Sequence, residues 1–175
     1  MRRIFSSFFA WLEDEDFIVK SPVRRIHRVR TESLVKEVLT DENMEVLRDS
    51  CQEIRDIAMI DLLASTGMRV GELVNLNRED IDFHERQCVV FGKGNKEREV
   101  YFNARTKIHL QNYLNSRTDN NPALFVSLLN PHSRLSISGV EVRLRTLGRK
   151  VNIAKVHPHK FRRTLATMAI DKGMP

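Results

Sequence analysis

Cysteine is almost missing from the 175-residue chain, which has only Cys51 and Cys88. They form no Cys-x-x-Cys pair. That argues against a disulfide-stapled scaffold and against a zinc site, and makes a reducing cytoplasm the expected compartment. Long apolar runs are missing as well: no stretch approaches the ~18 consecutive apolar residues of a membrane span. The start, MRRIFSSFFAWLEDED, is basic and partly apolar, but it lacks a small-residue cleavage site and runs straight into acids. It does not fit a secretory signal. There is no internal repeat and no low-complexity run. With 41% hydrophobic and 30% charged residues, the chain has the composition of a folded globular protein. Its length suits one ordinary domain, or one domain with an appendage.

What the chain does have is charge, unevenly placed. The net +6 is the sum of opposed blocks: +3 over residues 1–30, −8 over 31–86, +2 over 87–105, +2 over 106–140 and +7 over 141–175. A basic second half of this kind suggests a polyanion-binding surface, with nucleic acid the first candidate. A solvated basic helix would give the same arithmetic.

The hydrophobic pattern is mostly helical. Ile4, Phe5, Phe8, Phe9 and Leu12 recur at three- and four-residue spacing, the apolar stripe of a helix. Phe17–Arg30, with Pro22 and a Lys/Arg cluster, reads as a linker. Such a helix needs a partner for its aromatics, and the expected origin is the last helix of a domain lying upstream. The main body begins near Thr31. Helices are expected over about 41–50 and 52–65, the second closing at Gly67. A short helix follows over Val70–Leu76, then a polar-capped turn over Asn77–Asp80. Gln87–Phe91 and Arg98–Phe102 flank GKGNKE and predict a β-hairpin. Asn103 caps a helix over about 104–117, and Ala123–Val126 predicts a short strand. Ser138-Gly-Val-Glu141 has capping-box spacing ahead of a helix carrying Val140, Leu144, Leu147 and Val151. His157-Pro158 is expected to break the chain, and a last helix runs from about His159 to Lys172, closing at Gly173. The expected fold is mainly α with one small antiparallel β-sheet or hairpin (α+β).

Three clusters carry candidate chemistry. In Ser65-Thr-Gly-Met-Arg69-Val-Gly-Glu72, a glycine-closed helix meets the next one and places Arg69 at a tight junction, with Glu72 three residues on along one face. An arginine steadied by a carboxylate can present its planar fork to a phosphate. An ordinary surface ion pair has the same spacing. In Gly92-Lys93-Gly94-Asn95-Lys96, a lysine between glycines at a hairpin tip can reach into a groove or donate a proton; a plain polar turn is the competing reading. The phosphate-loop pattern is absent there and no helix follows. In His157-Pro-His159-Lys160-Phe-Arg162-Arg163-Thr164, His159 and Arg162 share one face at a helix start, close to the positive end of its dipole. That is a natural seat for a phosphodiester, or else only a basic helix start. Neither histidine has the neighbours of a metal ligand.

In series, STGMRVGELVNL, VVFGKGNKEREVYF and HPHKFRRTLAT resemble the signature blocks of the tyrosine recombinase (phage integrase) family, from about Thr31 to the last residue. The resemblance implies a catalytic-domain fold over 31–175, expected to lack its C-terminal part, preceded in 1–30 by the last helix and linker of a truncated helical core-binding domain. It implies double-stranded DNA and other recombinase protomers as partners, no membrane, no metal and no cofactor, and a bacterial or phage origin. The implied reaction is site-specific DNA cleavage and rejoining: a tyrosine attacks a DNA phosphate, a 3′-phosphotyrosyl ester holds the strand, and a 5′-hydroxyl reverses the step. Carried over by motif, Arg69 and Arg162 clamp the scissile phosphate. Glu72 supports the site, Lys93 is the general acid for the leaving 5′-oxygen, and His159 is the histidine of the His-x-x-Arg motif.

Two departures stand out. The family commonly has histidine after the second arginine, where this chain has Arg163. Its Leu-Gly-His-like block and nucleophilic tyrosine follow the last helix, and the only tyrosines here are Tyr101 and Tyr113, both upstream. The expectation is therefore a chain that binds DNA without cutting it, as part of a working recombinase or as a natural remnant competing for DNA. An unrelated basic helical protein, such as an RNA-binding structural protein, would scatter Arg69, Lys93, His159 and Arg162 over separate faces.

Overall fold

The computed structural model describes residues 2–26, 37–92 and 97–173. By its internal contacts the chain divides into two units, Met1–Lys36 and Glu37–Pro175. In the first, helix α1 (Arg2–Asp14) is followed by a 3₁₀ turn at Pro22–Arg25. Glu13 ties the two together, accepting from the Ser21 amide at 3.1 Å and pairing with Arg24 at 2.9 Å. Phe8 meets Phe9 edge to face, and Trp11 leans on Phe17. Even so, Ile4, Phe5, Phe8 and Trp11 are each about half exposed or more. Thr31, where the main body was expected to begin, lies outside the described residues.

The second unit is built around α3 (Ile54–Thr66), which is buried nearly all round: Ala58, Met59, Ile60, Leu62 and Leu63 are closed off from solvent. Two acids on the same helix, Asp56 and Asp61, are equally buried, and each is matched. Asp56 accepts from Arg55 at 2.7 Å and from Arg143 at 2.6 Å. Asp61 accepts from Arg48 at 2.6 Å and also bonds His109. Buried charges persist only when paired in this way. Here the pairs also act as ties: Arg48 lies on α2 (Asp41–Asp49), His109 on α5 (Ala104–Ser116) and Arg143 on α6 (Ile137–Lys150). These two acids of the first half are internal structure.

A three-stranded antiparallel sheet, in the order β1 (Ile81–Asp82), β2 (Gln87–Phe91), β3 (Glu97–Tyr101), lies beside the helices. Cys88 pairs with Val100 and Val90 with Arg98, so Cys88, Val90 and Val100 face the core while their neighbours face out. The expected hairpin is therefore two strands of a sheet that a short first strand completes.

Three expectations need correction. The α6 cap is Ser136, whose hydroxyl accepts from the Gly139 amide at 3.1 Å; Ser138 lies inside the helix. Ala123–Val126 is no ladder strand, and only single bridges touch it, Asn77 to Ala123 and Val126 to Arg134. Its backbone is satisfied otherwise: Arg117 donates to the carbonyls of Ala123 and Leu124 at 2.6 and 3.0 Å, and the Leu124 amide donates to Leu76 at 2.8 Å. Finally, His157-Pro158 does not interrupt the chain before α7 (Pro158–Asp171) but opens it, with Pro158 in the first turn, where a missing N–H is harmless.

Candidate active site

The site is assembled where α3 ends. Gly67 closes the helix in the left-handed conformation, φ +58°, its amide bonded to Leu63 O. A side chain there would be strained, and a Cβ would sit 2.9 Å from Leu165 Cδ2 and 3.7 Å from Arg162 Cα. The glycine thus lets α7 approach, and Arg162 Nη1 donates to Gly67 O at 2.8 Å. Two residues on, Arg69 caps α4 (Val70–Asn75). One backbone turn therefore serves both arginines.

Glu72 holds this turn. Its side chain is 4% exposed, yet both oxygens are engaged. Oε1 accepts from Arg69 Nη1 at 2.9 Å, and Oε2 accepts from the Arg69 amide at 2.8 Å and from Arg98 Nη2 at 2.6 Å. Burial opposes its charge, but the Arg69 bonds and the Arg98 charge prevail, and its carboxyl is held below the usual range. The Arg69 guanidinium stays 51% exposed, steadied at one end and open at the other.

Arg98 is a site residue that sequence reasoning missed. It sits in β3 on the same face as buried Val100. A cation at an inward-facing strand position needs a buried anion, and Glu72 was the candidate already in view. Lys93, expected on the connection between β2 and β3, lies outside the described residues.

His159 stands one turn before Arg162 on α7, exposed, its ring 6.4 Å from that of His157. Burial, reinforced by Arg163, His159 and Lys160, pushes His157 below the ordinary imidazole range. The side chain of Lys160 is turned inward and donates to Ala154 O at 2.9 Å. A larger hollow of about 620 Å³, lined among others by Met44, Arg48, Asp61, Phe161, Leu165 and Met168, contains none of the expected site residues. Among the described residues, no group of three or more His, Cys, Asp or Glu could hold a metal ion.

The tyrosines sit apart from this chemistry. Tyr113 is buried, stacked on Phe125, with its hydroxyl accepting from the Val126 amide at 3.2 Å. Tyr101 donates to Glu99 at 2.8 Å. Burial in the first case, and the Glu99 bond in the second, raise the phenol pKa, which disfavours phenolate.

This is a mainly helical domain with an edge sheet, in which Arg69 and its buried acid follow a glycine turn whose carbonyl Arg162 of α7 bonds. Residues 36–175 match the model of the phage integrase family. Tyrosine recombinase XerC of Staphylococcus aureus (strain bovine RF122 / ET3-1) is 32% identical over 173 residues, covering 93% of this chain and 57% of the relative. A crystal structure of XerA recombinase superposes with a TM-score of 0.74 at 31% identity, over 98% of this chain and 61% of that one. The Tn1549 transposon integrase in complex with transposon right end DNA shares the fold, with a TM-score of 0.80 at 20% identity, over 99% of this chain and 66% of that one. The chain belongs to the phage integrase family, the tyrosine recombinases, and carries their catalytic-domain fold. It spans 57% of the length of the XerC relative.

Proposed function

We propose that this chain supplies the phosphate-clamping centre of a site-specific DNA recombinase or integrase. In that reading Arg69 and Arg162 bind the nonbridging oxygens of the scissile phosphate and stabilise the charge that builds on them. Glu72 and Arg98 fix Arg69, so that little side-chain freedom is left to lose on binding. A tyrosine oxygen attacks phosphorus as the P–O5′ bond breaks, Lys93 delivers a proton to the departing 5′-oxygen, and a 5′-hydroxyl later reverses the step. His159 bonds the phosphate from the α7 N-terminus. Residues 1–30 would be the last helix and linker of a core-binding domain, which would cover the aromatic face of α1, and 31–175 the catalytic domain. The partners would be double-stranded DNA and further protomers on it, in a bacterial or phage-bearing cytoplasm.

The observation that carries this reading is the meeting of Arg162 with the Gly67 carbonyl beside Arg69 and its buried acid. The environments of Tyr101 and Tyr113 favour a further point: neither is the nucleophile, and this chain by itself occupies duplex DNA without cutting it. Incubation with a nicked substrate that traps covalent intermediates tests both parts. The expected result is salt-sensitive binding and no covalent adduct. An adduct mapping to Tyr101 or Tyr113 would overturn the nucleophile assignment, and absence of DNA binding at low salt would overturn the function.

A further inference from the structure

Most arginines of the second unit are already engaged. Arg48, Arg55, Arg78, Arg117 and Arg143 each meet a carboxylate. By contrast, no hydrogen bond or ion pair engages the side chains of Arg145, Arg149, Lys155 or Arg163 among the described residues, and Arg163 Nε is buried without a partner. Arg145, Arg149 and Lys155 border one groove of about 470 Å³ between α6 and the start of α7, with His157 and His159 at its other side and Glu141 its single acid.

Spacing aligns these groups. Glu141, Arg145 and Arg149 follow at i, i+4 along one α6 face, which places two like charges side by side, an arrangement that disfavours the helix unless an anion joins them. Arg149 lies in the last helical turn, where it also complements the carbonyl end of α6. That accounts for one cation, not for Arg145 a turn earlier or for Lys155. The walls are firm. Gly148 is packed so closely that a Cβ would meet Val156 Cγ2 at 2.5 Å and Ile153 O at 2.9 Å. Lys160 anchors Ala154 from beneath. Lys155 is held at φ +53°, a backbone that lysine seldom adopts. The amides of the first α7 turn add a positive dipole end on the His159 side.

We propose that this groove is a second phosphate subsite, taking a phosphodiester of the same DNA strand next to the one held by Arg69 and Arg162, with His159 on the rim the two share. The proposal rests on the recombinase reading above. Arg145, Arg149 and Lys155 supply the charge, and neutral His157 offers a hydrogen bond without adding to the crowding of cations. DNA backbone and free phosphate present the same oxygens, and the two are separated by experiment.

The full 175-residue chain is titrated with a short duplex of arbitrary sequence over a range of salt, and the His157 and His159 ring protons are followed by NMR. Arg145→Gln/Arg149→Gln removes exposed side chains, so the fold is retained, which thermal unfolding checks. Each lost phosphate contact makes the slope of log K against log salt shallower by about 0.9, so emptying this one-phosphate subsite with the pair should lower it by about 1. Arg145→Lys/Arg149→Lys should restore it. Arg69→Gln/Arg162→Gln is run in parallel. If that pair lowers the slope while the groove pair leaves it unchanged, the subsite is wrong and the catalytic centre stands. If neither pair changes it, both readings fall. If inorganic phosphate saturates a shift of the ring protons while the duplex leaves them unmoved, the groove takes a free phosphate and the DNA assignment is overturned.

Discussion

Glu72 shows at the scale of one residue how a site is prepared. It is a buried acid kept charged by two guanidiniums and a backbone amide, and in turn it directs Arg69 outward. Its folded-state pKa is lowered, so the stability it contributes is present above the unfolded carboxyl value of about 4.3 and is lost as pH falls through the lower folded one. Acid unfolding of Glu72→Gln should therefore lose less stability over that window than wild type; equal losses would mean the network contributes nothing there. Arg98→Met should cost about 1–3 kcal/mol in urea unfolding, the usual effect of removing a charged partner from a buried acid, and Arg98→Lys should recover part of it. The Arg69–Glu72 spacing made that pair legible in the sequence. The Arg98 contact was hidden, because it joins positions 26 residues apart and depends on how the sheet lies against α4.

Among the elements, the α3–α4 turn has the tightest conformational demand. Gly67→Val places a β-branched side chain at φ +58° and should destabilise by about 2 kcal/mol or more, whereas Gly67→Asn, tolerant of left-handed backbone, should lose about 1 kcal/mol or less. Urea midpoints for the two variants make the comparison, and equal losses would point to the nearby Leu165 contact instead of the backbone. Asp56→Ala strands Arg55, whose side chain is 6% exposed, and should cost about 3–5 kcal/mol by the same measurement. Most helices were legible from period and caps. The α6 start was misplaced because Ser136 and Ser138 both offer a hydroxyl, and only packing decides between them: the Ser136 start accompanies full burial of Val140, Leu144 and Leu147. Residues 123–126 have a strand-like sequence because they are apolar and buried. What satisfies their backbone is Arg117, a side-chain partner that no alternation pattern reveals.

Across the whole molecule, the opposed charge blocks serve different ends. Three acids of the acidic block, Asp56, Asp61 and Glu72, pair inward along α3 and α4, while Arg145 and Arg149 of α6 are left exposed. The order of the three motif blocks was enough to expect a tyrosine recombinase domain. That Arg162 meets the carbonyl of Gly67, two residues before Arg69, could not be read from order, since it depends on α7 packing against the end of α3. The most direct test of that meeting is a double-mutant cycle on duplex DNA affinity, comparing wild type, Arg69→Gln, Arg162→Gln and the double variant at one salt concentration. Two arginines on one phosphate predict losses that fall short of additivity by about 1 kcal/mol or more. Losses that add to within about 0.5 kcal/mol would place the arginines on separate contacts and contradict the shared centre.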